Sequence, residues 1–329
     1  MIFRTEPAKL GVSVAFLTIV LPAFVASAES PTYPTRPIVM LVSTTAGASP
    51  DLIARLFAHQ LSDGFRTPVV VENKGGANGQ IAVQAIATAA PDGYTFLATT
   101  GATLAINPAL YPKSEQIVMN ELAPVTRLAR QDFVITARPS SQVRTLPALI
   151  DWGKKNPGKL NVATTAKGSL AYLTAQLLAR AAGIEFATIP HNGGEQAVAT
   201  MLGNNADVLI ETITLSRPYI QSGKLVPIAV TGPTRSAFLP DVPTLTELNL
   251  EIQTSGWTAI VAPKGIPIEI VTRVQQELSE GLQNPDLKTK LGDLCAEPIV
   301  NTPDRFAREW KQEALMWEEV TKKIGITLE

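Results

Sequence analysis

The chain has 329 residues with 28 Lys and Arg against 29 Asp and Glu, a formal charge of −1. A surface this close to neutral offers no basic face to nucleic acid and no polybasic patch to an anionic membrane. A single cysteine, Cys295, excludes an intrachain disulfide, and with only His59 and His191 beside it the composition argues against a zinc site or a cysteine–histidine pair.

At the N-terminus, Arg4 and Lys9 form a short basic segment, Leu10 to Val25 is almost wholly apolar, and Ala26-Ser27-Ala28 supplies a small-x-small cleavage pattern. The apolar run is short for a membrane span and Pro22 interrupts it, so residues 1–28 are expected to be an export signal cleaved after Ala28. Without Arg4, Glu6 and Lys9 the mature chain keeps 26 basic and 28 acidic residues. Its length suggests two domains at about 150 residues each.

Strand and helix patterns then alternate. Pro37 to Ser43 reads as a buried strand, Pro50 to Leu61 as a helix and Pro68 to Glu72 as a strand. Gln80 to Ala89 reads as a helix and Tyr94 to Thr99 as a third strand. Ser49 is a natural N-cap, Pro50 suits the first helical position, and Ile53, Phe57 and Leu61 share one helix face. Such an alternation implies right-handed βαβ units on a parallel sheet, with ligands outside the carboxyl ends of the strands. Those ends are Thr44 to Ser49, Asn73 to Gly79, and Thr99 to Thr103.

The pattern restarts with strands at Phe133 to Ala137 and Lys159 to Thr164. A helix at Ser169 to Ala182, a strand at Phe186 to Pro190 and a helix at Glu195 to Leu202 follow. An apolar strand at Ala206 to Ile210 leads into a helix ending near Gly223 and a strand at Val226 to Val230. Beyond residue 232 the chain is punctuated by proline and ends in helices near Ile268 to Leu282 and Pro303 to Ile324. Two α/β halves facing each other across a cleft is the economical arrangement.

Gly47-Ala48-Ser49-Pro50-Asp51 sits where a hydrolase would carry its nucleophile elbow, but the closing glycine is missing. Pro50 also lacks the N–H that such a site would use as an oxyanion donor, so the capping reading explains this segment better. The turn Gly75-Gly76-Ala77-Asn78-Gly79 lacks both the Gly-Lys-Ser/Thr ending of a phosphate loop and the Rossmann spacing. At the end of a strand, however, it joins Thr44, Thr45, Ser49, Thr99, Thr100 and Thr103 on one crevice. Thr164-Thr165-Ala166-Lys167-Gly168-Ser169 is a second loop entering a helix, and Glu211 ends an apolar strand at a candidate cleft position.

Backbone N–H groups at helix starts suit an anion. Charge-assisted hydrogen bonds contribute roughly 1.5–3 kcal/mol each and a helix terminus about 0.3–1 kcal/mol. Micromolar affinity needs about 8 kcal/mol, more than one carboxylate in one loop supplies and within reach of a dicarboxylate held by both halves. Trp310 and Trp317 read as one packed helix stripe, Cys295 as a buried small hydrophobe and His59 as a helix residue of no special role.

Val71-Glu72-Asn73, the glycine loop through Gly79, Ala90-Pro91-Asp92-Gly93-Tyr94-Thr95 and Ile106-Asn107-Pro108 with Leu110-Tyr111 together carry a resemblance. Gly223-Lys224-Leu225, Ala229-Val230-Thr231 and Leu239-Pro240-Asp241-Val242-Pro243-Thr244 extend it across the mature chain. The sequence resembles the tripartite tricarboxylate transporter substrate-binding proteins, the Bug receptor family. That resemblance implies an α/β two-domain periplasmic-binding-protein clamshell of the Venus flytrap kind, each domain a sheet flanked by helices, with no catalysis, cofactor or metal. It also implies residues 29–129 as the first part of domain 1, 130–232 as domain 2 and 233–329 as the return to domain 1. Asp51 and one glycine keep the family pattern after the first strand, while Thr44 stands where phenylalanine is usual, Tyr172 where histidine is common, and His191-Asn192 where a tyrosine–lysine pair is frequent.

The expected function is capture of a small carboxylated metabolite in the periplasm by a monomer that hands it to membrane permease subunits. The expected site comprises Thr44, Gly47, Ala48, Ser49, Asp51, Gly76, Ala77, Gly79, Thr100 and Thr103 on one half. On the other it comprises Thr164, Lys167, Gly168, Ser169, His191 and Glu211. A sensory receptor for a membrane signalling partner and a secreted hydrolase remain as alternatives.

Overall fold

The computed structural model describes residues 1–4 and 33–326, so nearly all of the expected export signal lies outside the described residues. Side chains alternate along β1 (Ile38–Val42) with the two-residue period of a strand. Ile38, Met40 and Val42 pack against Ile53, Phe57 and Leu61 of α1 (Ser49–Phe65), whereas Leu41 joins Val83 and Ile86 of α2 (Gln80–Ala87) on the other face. Truncating a buried aromatic such as Phe57 would cost about 3–5 kcal/mol. With a helix on each face, β1 takes two parallel partners, β2 (Val69–Asn73) and β3 (Thr95–Thr100). These are the elements the periodicity predicts.

The sheet is mixed rather than wholly parallel. Behind β3 the chain forms a π-helical turn over Ala102–Ile106, then α3 (Asn107–Leu110) and α4 (Pro112–Asn120). It then enters β4 (Leu122–Ala137), a strand of 16 residues of which periodicity revealed only the last five. After α5 (Leu146–Lys155), β5 (Leu160–Thr165), α6 (Leu170–Ala182) and β6 (Phe186–His191) build a second parallel pair. Next come α7 (Gly194–Leu202), β7 (Val208–Thr212), α8 (Ile213–Gln221) and β8 (Val226–Val230). Then β9 (Ser255–Pro263) inserts between β3 and β4, antiparallel to both. The chain closes with α9 (Ile268–Gly281), α10 (Pro285–Asp293), β10 (Glu297–Pro298) and α11 (Pro303–Ile324). The strand order along the sheet is β2-β1-β3-β9-β4-β7-β5-β6.

Because β4 is so long, it belongs to both halves of the sheet. Up to Asp132 it pairs with β9; from Phe133 onward it pairs with β7 and β8. At this junction the Ser255 hydroxyl donates to Asp132 Oδ1 at 2.6 Å, and the Thr231 amide donates to the Phe133 carbonyl at 3.0 Å. Two segments of chain thus pass between the halves side by side, with Thr231 packed beside them. Residues 233–254 stay with the second half, where Leu245 and Ile252 pack with Ile135 and Leu149, and the chain re-enters the first half at Ser255. Trp310 and Trp317 are buried with Phe306 and Trp257, the packed stripe the sequence suggests, and Cys295 is buried.

Candidate functional site

The carboxyl ends of β1, β2 and β3 in one half and of β5, β6 and β7 in the other border a cavity of about 800 Å³. Strand ends of an α/β sheet are where helices begin, and five helix starts contribute to its wall. Ala48 to Pro50 open α1, Gly76 to Gly79 lead into α2, Ser169 and Leu170 open α6, Gly193 to Glu195 open α7, and Thr212 precedes α8. The first turn of a helix leaves N–H groups without intrahelical partners and carries a partial positive charge.

In the first half the loop after β1 is shaped by Asp51. This side chain is 1% exposed, and its Oδ2 accepts the Gly47 amide at 2.9 Å and Arg55 Nε at 3.0 Å. Its Oδ1 accepts Asn73 Nδ2 at 2.8 Å, and the same amide reaches the Thr44 carbonyl at 3.1 Å. Burial alone would raise the Asp51 pKa, but the bonds from Arg55, Gly47 and Asn73 together hold it below the usual carboxylate range. Asp51 therefore clamps the turn from behind and does not line the cavity. Ser49 departs from its expected capping role: α1 begins at Ser49 itself, no side chain caps it, and the buried Ser49 hydroxyl has no partner. The Thr44 hydroxyl is unpartnered in the same way.

The glycine turn after β2 holds four consecutive residues at positive φ: Gly76 at 120°, Ala77 at 46°, Asn78 at 52° and Gly79 at 87°. Gly79 also needs to be small, because a Cβ there would lie 2.5 Å from Thr103 Oγ1. Asn78 and Asn107 lock the turn to α3, with Asn78 Nδ2 donating to Asn107 Oδ1 at 2.6 Å and Asn107 Nδ2 returning to the Asn78 carbonyl at 2.8 Å. Thr100 and Thr103 sit beside it with their hydroxyls 3.1 Å apart.

In the second half Ser169 caps α6 by accepting the Tyr172 amide at 3.2 Å, and it also accepts the Thr165 hydroxyl at 2.8 Å. A hydroxyl that accepts twice still has its own proton to donate. Lys167 is an exposed cation on the cavity wall. Glu211 is buried at the end of β7, its Oε1 accepting the Thr212 amide at 2.7 Å and its Oε2 without a partner. Burial pushes its pKa up to about 7, the bond from the Thr212 amide opposes the rise, and Glu195 adds to it.

Of the residues expected from sequence, Thr44, Ala48, Ser49, Gly76, Ala77, Gly79, Thr100 and Thr103 line the cavity from the first half. Lys167, Ser169 and Glu211 line it from the second. Five do not reach the wall. Gly47 and Asp51 bond to each other behind the β1 loop, and Thr164 is fully buried with its hydroxyl donating to the Thr165 carbonyl. Gly168 serves the backbone at φ 82°. His191 has both ring nitrogens engaged, Nδ1 with the Thr164 carbonyl at 3.1 Å and Nε2 with the Thr200 hydroxyl at 2.7 Å. The wall also includes Asn192 to Glu195, Tyr111 and Phe133. A glycine pair between a strand and a helix was the visible signal for the first of these segments, whereas nothing local marked Tyr111 or Phe133.

A mixed α/β sheet flanked by helices, with its cavity at the strand ends, defines the class of periplasmic binding proteins. The fold matches R. palustris Rpa4515 with adipate at a TM-score of 0.84, over 90% of this chain and 99% of that one, at 29% identity. It matches MatC from Rhodopseudomonas palustris with bound malate at a TM-score of 0.78, over 88% and 99% of the two chains, at 28% identity. Residues 53–326 match the tripartite tricarboxylate transporter family receptor, and the chain belongs to that family of periplasmic solute-binding proteins. Protein BugT of Bordetella pertussis is 33% identical over 323 residues, 98% of each chain.

Proposed function

We propose that this protein is a periplasmic receptor that captures a small carboxylated metabolite and delivers it, as a monomer, to the membrane subunits of a tripartite tricarboxylate-type transporter. The observation that carries this reading is the convergence of five helix starts on one cavity. Among the described residues of the first half no acidic side chain faces the cavity, since Asp51 is turned into the framework and Tyr111 is the titratable group on that wall. Helix starts with no compensating acid favour an anion. One carboxylate is then held by the amides around Ala48 to Ser49 and Gly76 to Gly79 and by the hydroxyls of Thr44, Ser49, Thr100 and Thr103, while Lys167 and Ser169 engage the ligand from the other side. Relatives of the same fold bound to adipate and malate support the ligand class.

The two sheet halves act as the domains of a clamshell that bends where the two segments cross at Asp132–Phe133 and Thr254–Ser255. A ligand touching both halves only when they are closed shifts the population toward closure. Catalysis is not part of this reading. Ser49 has no base among its partners, Pro50 offers no oxyanion donor, and His191 is committed on both nitrogens.

The test is calorimetry and thermal shift on protein refolded from denaturant, which removes any resident ligand. The panel covers citrate, malate, adipate, acidic amino acids, aromatic carboxylates and uncharged analogues. A ligand at about a hundred times its dissociation constant should stabilise the fold by about 2.7 kcal/mol. Shifts with uncharged analogues and none with any carboxylate would refute the reading.

A further inference from the structure

Glu211 lies on the cavity wall opposite the helix starts of the first half, and its carboxyl is only partly bonded. It is 3% exposed, yet among the described residues Oε2 has no hydrogen-bond partner, and the Thr212 hydroxyl beside it has none either. Room for this carboxyl exists because residue 194 is glycine. A Cβ there would lie 2.7 Å from Glu211 Oε2 and 2.5 Å from Leu215 Cδ1. On β4 the residue paired with it is Val134, and the neighbours on the cavity wall include Phe133 and Leu215, all apolar. Among the described residues the other titratable side chains facing the same cavity are Tyr111, Lys167 and Glu195. Of these, Glu195 acts on Glu211 as a like charge, and Lys167 makes no ion pair among the described residues.

A buried carboxylate is ordinarily paired, because desolvation without a partner is costly. Among the described residues the framework supplies one backbone amide and no cation, leaving the second oxygen unpaired beneath Gly194 at the cavity wall. An ionised carboxylate only accepts hydrogen bonds, so its complement must donate them. Charge gives the same answer. Lys167 stands against Glu195 and Glu211, so a dicarboxylate would add two negative charges to a wall already short of positive ones. A zwitterion would add none.

Resting on the carboxylate reading above, we infer that Glu211 is the specificity-determining residue for the second end of the ligand and that this end is an ammonium. The ligand is an amino-carboxylate. Its carboxylate lies at the starts of α1 and α2, and its ammonium donates to Glu211 Oε2 and the Thr212 hydroxyl. Because the free protein holds Glu211 protonated below about pH 7, binding releases that proton and strengthens as pH rises toward neutrality.

The experiment titrates matched ligands into wild type, Glu211→Gln and Glu211→Asp at about pH 6 and about pH 8. Short ω-amino acids of several chain lengths, together with aspartate and glutamate, are each compared with the dicarboxylate and the monocarboxylate of the same length. Over this range the ligand ammonium keeps its charge. The expected result is an amino-carboxylate binding at least about tenfold more tightly than its dicarboxylate counterpart, and more tightly at the higher pH. Glu211→Gln should erase that preference while Glu211→Asp retains it, with thermal melts showing both variants folded. A dicarboxylate that binds best at every length would overturn the inference while leaving the receptor reading intact. So would binding that weakens as pH rises, which is the signature of a protonated Glu211 donating to a second carboxylate. Binding of no carboxylate by the wild type would instead overturn the reading beneath it.

Discussion

Replacing Asp51 with alanine tests whether the β1 loop is held from behind. The carboxylate accepts from the Gly47 amide, Arg55 Nε and Asn73 Nδ2, all between 2.8 and 3.0 Å. Hydrogen bonds to a charged group contribute about 1.5–3 kcal/mol each, but that sum overstates the loss. Arg55 has a side-chain exposure of 45% and still donates to Asn73 Oδ1, and the exposed Gly47 amide can return to water. A cost of about 2–4 kcal/mol is the reasonable magnitude, with the half-buried Asn73 amide bearing most of it. At roughly 2 °C per kcal/mol for a chain of this size, Tm should fall by about 4–8 °C at neutral pH. The folded-state pKa of Asp51 is depressed, so its contribution is present above the unfolded value and is lost as pH falls through the folded one. Thermal unfolding of wild type and Asp51→Ala should therefore diverge most at neutral pH and draw together as pH falls below the ordinary carboxylate range. Affinity should fall as well, since the Asn73 amide also holds the Thr44 carbonyl. An unchanged Tm combined with lost binding would refute the argument, because Asp51 would then act on the ligand rather than on the loop.

Gly76→Val forces a branched side chain onto φ 120°, at a cost of about 1–3 kcal/mol. Titration calorimetry should show carboxylate affinity falling by about tenfold or more as the turn rearranges. Ser169→Ala removes the α6 cap, which should cost about 1 kcal/mol in denaturant unfolding, and it should weaken ligand binding, whereas Ser169→Thr should preserve the cap. Glu211 has a folded pKa raised to about 7, so ligand-free protein should lose roughly 3 kcal/mol as pH rises from the unfolded value through neutrality. Thermal melts at about pH 5 and about pH 8 should show that loss in wild type and not in Glu211→Gln. At Gly101 a Cβ would lie 2.6 Å from Trp257 Cε2, so Gly101→Ala should destabilise by about 1–3 kcal/mol and shift the tryptophan fluorescence.

Parallel units were legible because their signals are local. The apolar run of β1, the Ile53–Phe57–Leu61 stripe and the Pro-Asp-Gly turn before β3 each announce themselves within a few residues. Antiparallel strands β4 and β9 were not. Trp257 to Pro263 are buried along their whole length, so no alternation appears, and the flanking prolines read as breaks. In β4, register shifts near Pro124 and Arg127 and two arginines obscure the period. At the site, glycine turns and hydroxyl-rich strand ends pointed to the right loops. They did not separate residues facing the cavity from those supporting it. Asp51 and His191 are polar residues in these loops, and only the fold shows that both are bonded inward to the framework.

The insertion of β9 between β3 and β4 also imposes an order on folding. Thr100 pairs with Thr258 and Leu122 with Pro263, so the centre of the first half is joined by residues more than a hundred positions apart. Until the segment through Pro263 has been made, β3 and the first eleven residues of β4 have no strand between them, and both present open edges. Pairings of such long sequence separation are slow to form, and open edges invite pairing with other chains. The second half brings Leu160 through Val230 together from nearby sequence and meets no such delay. A chain interrupted between Val230 and Ser255 would thus hold a nearly complete second half beside an unfinished first one. Nascent protein should remain a target for chaperones, and for degradation, until its last quarter arrives.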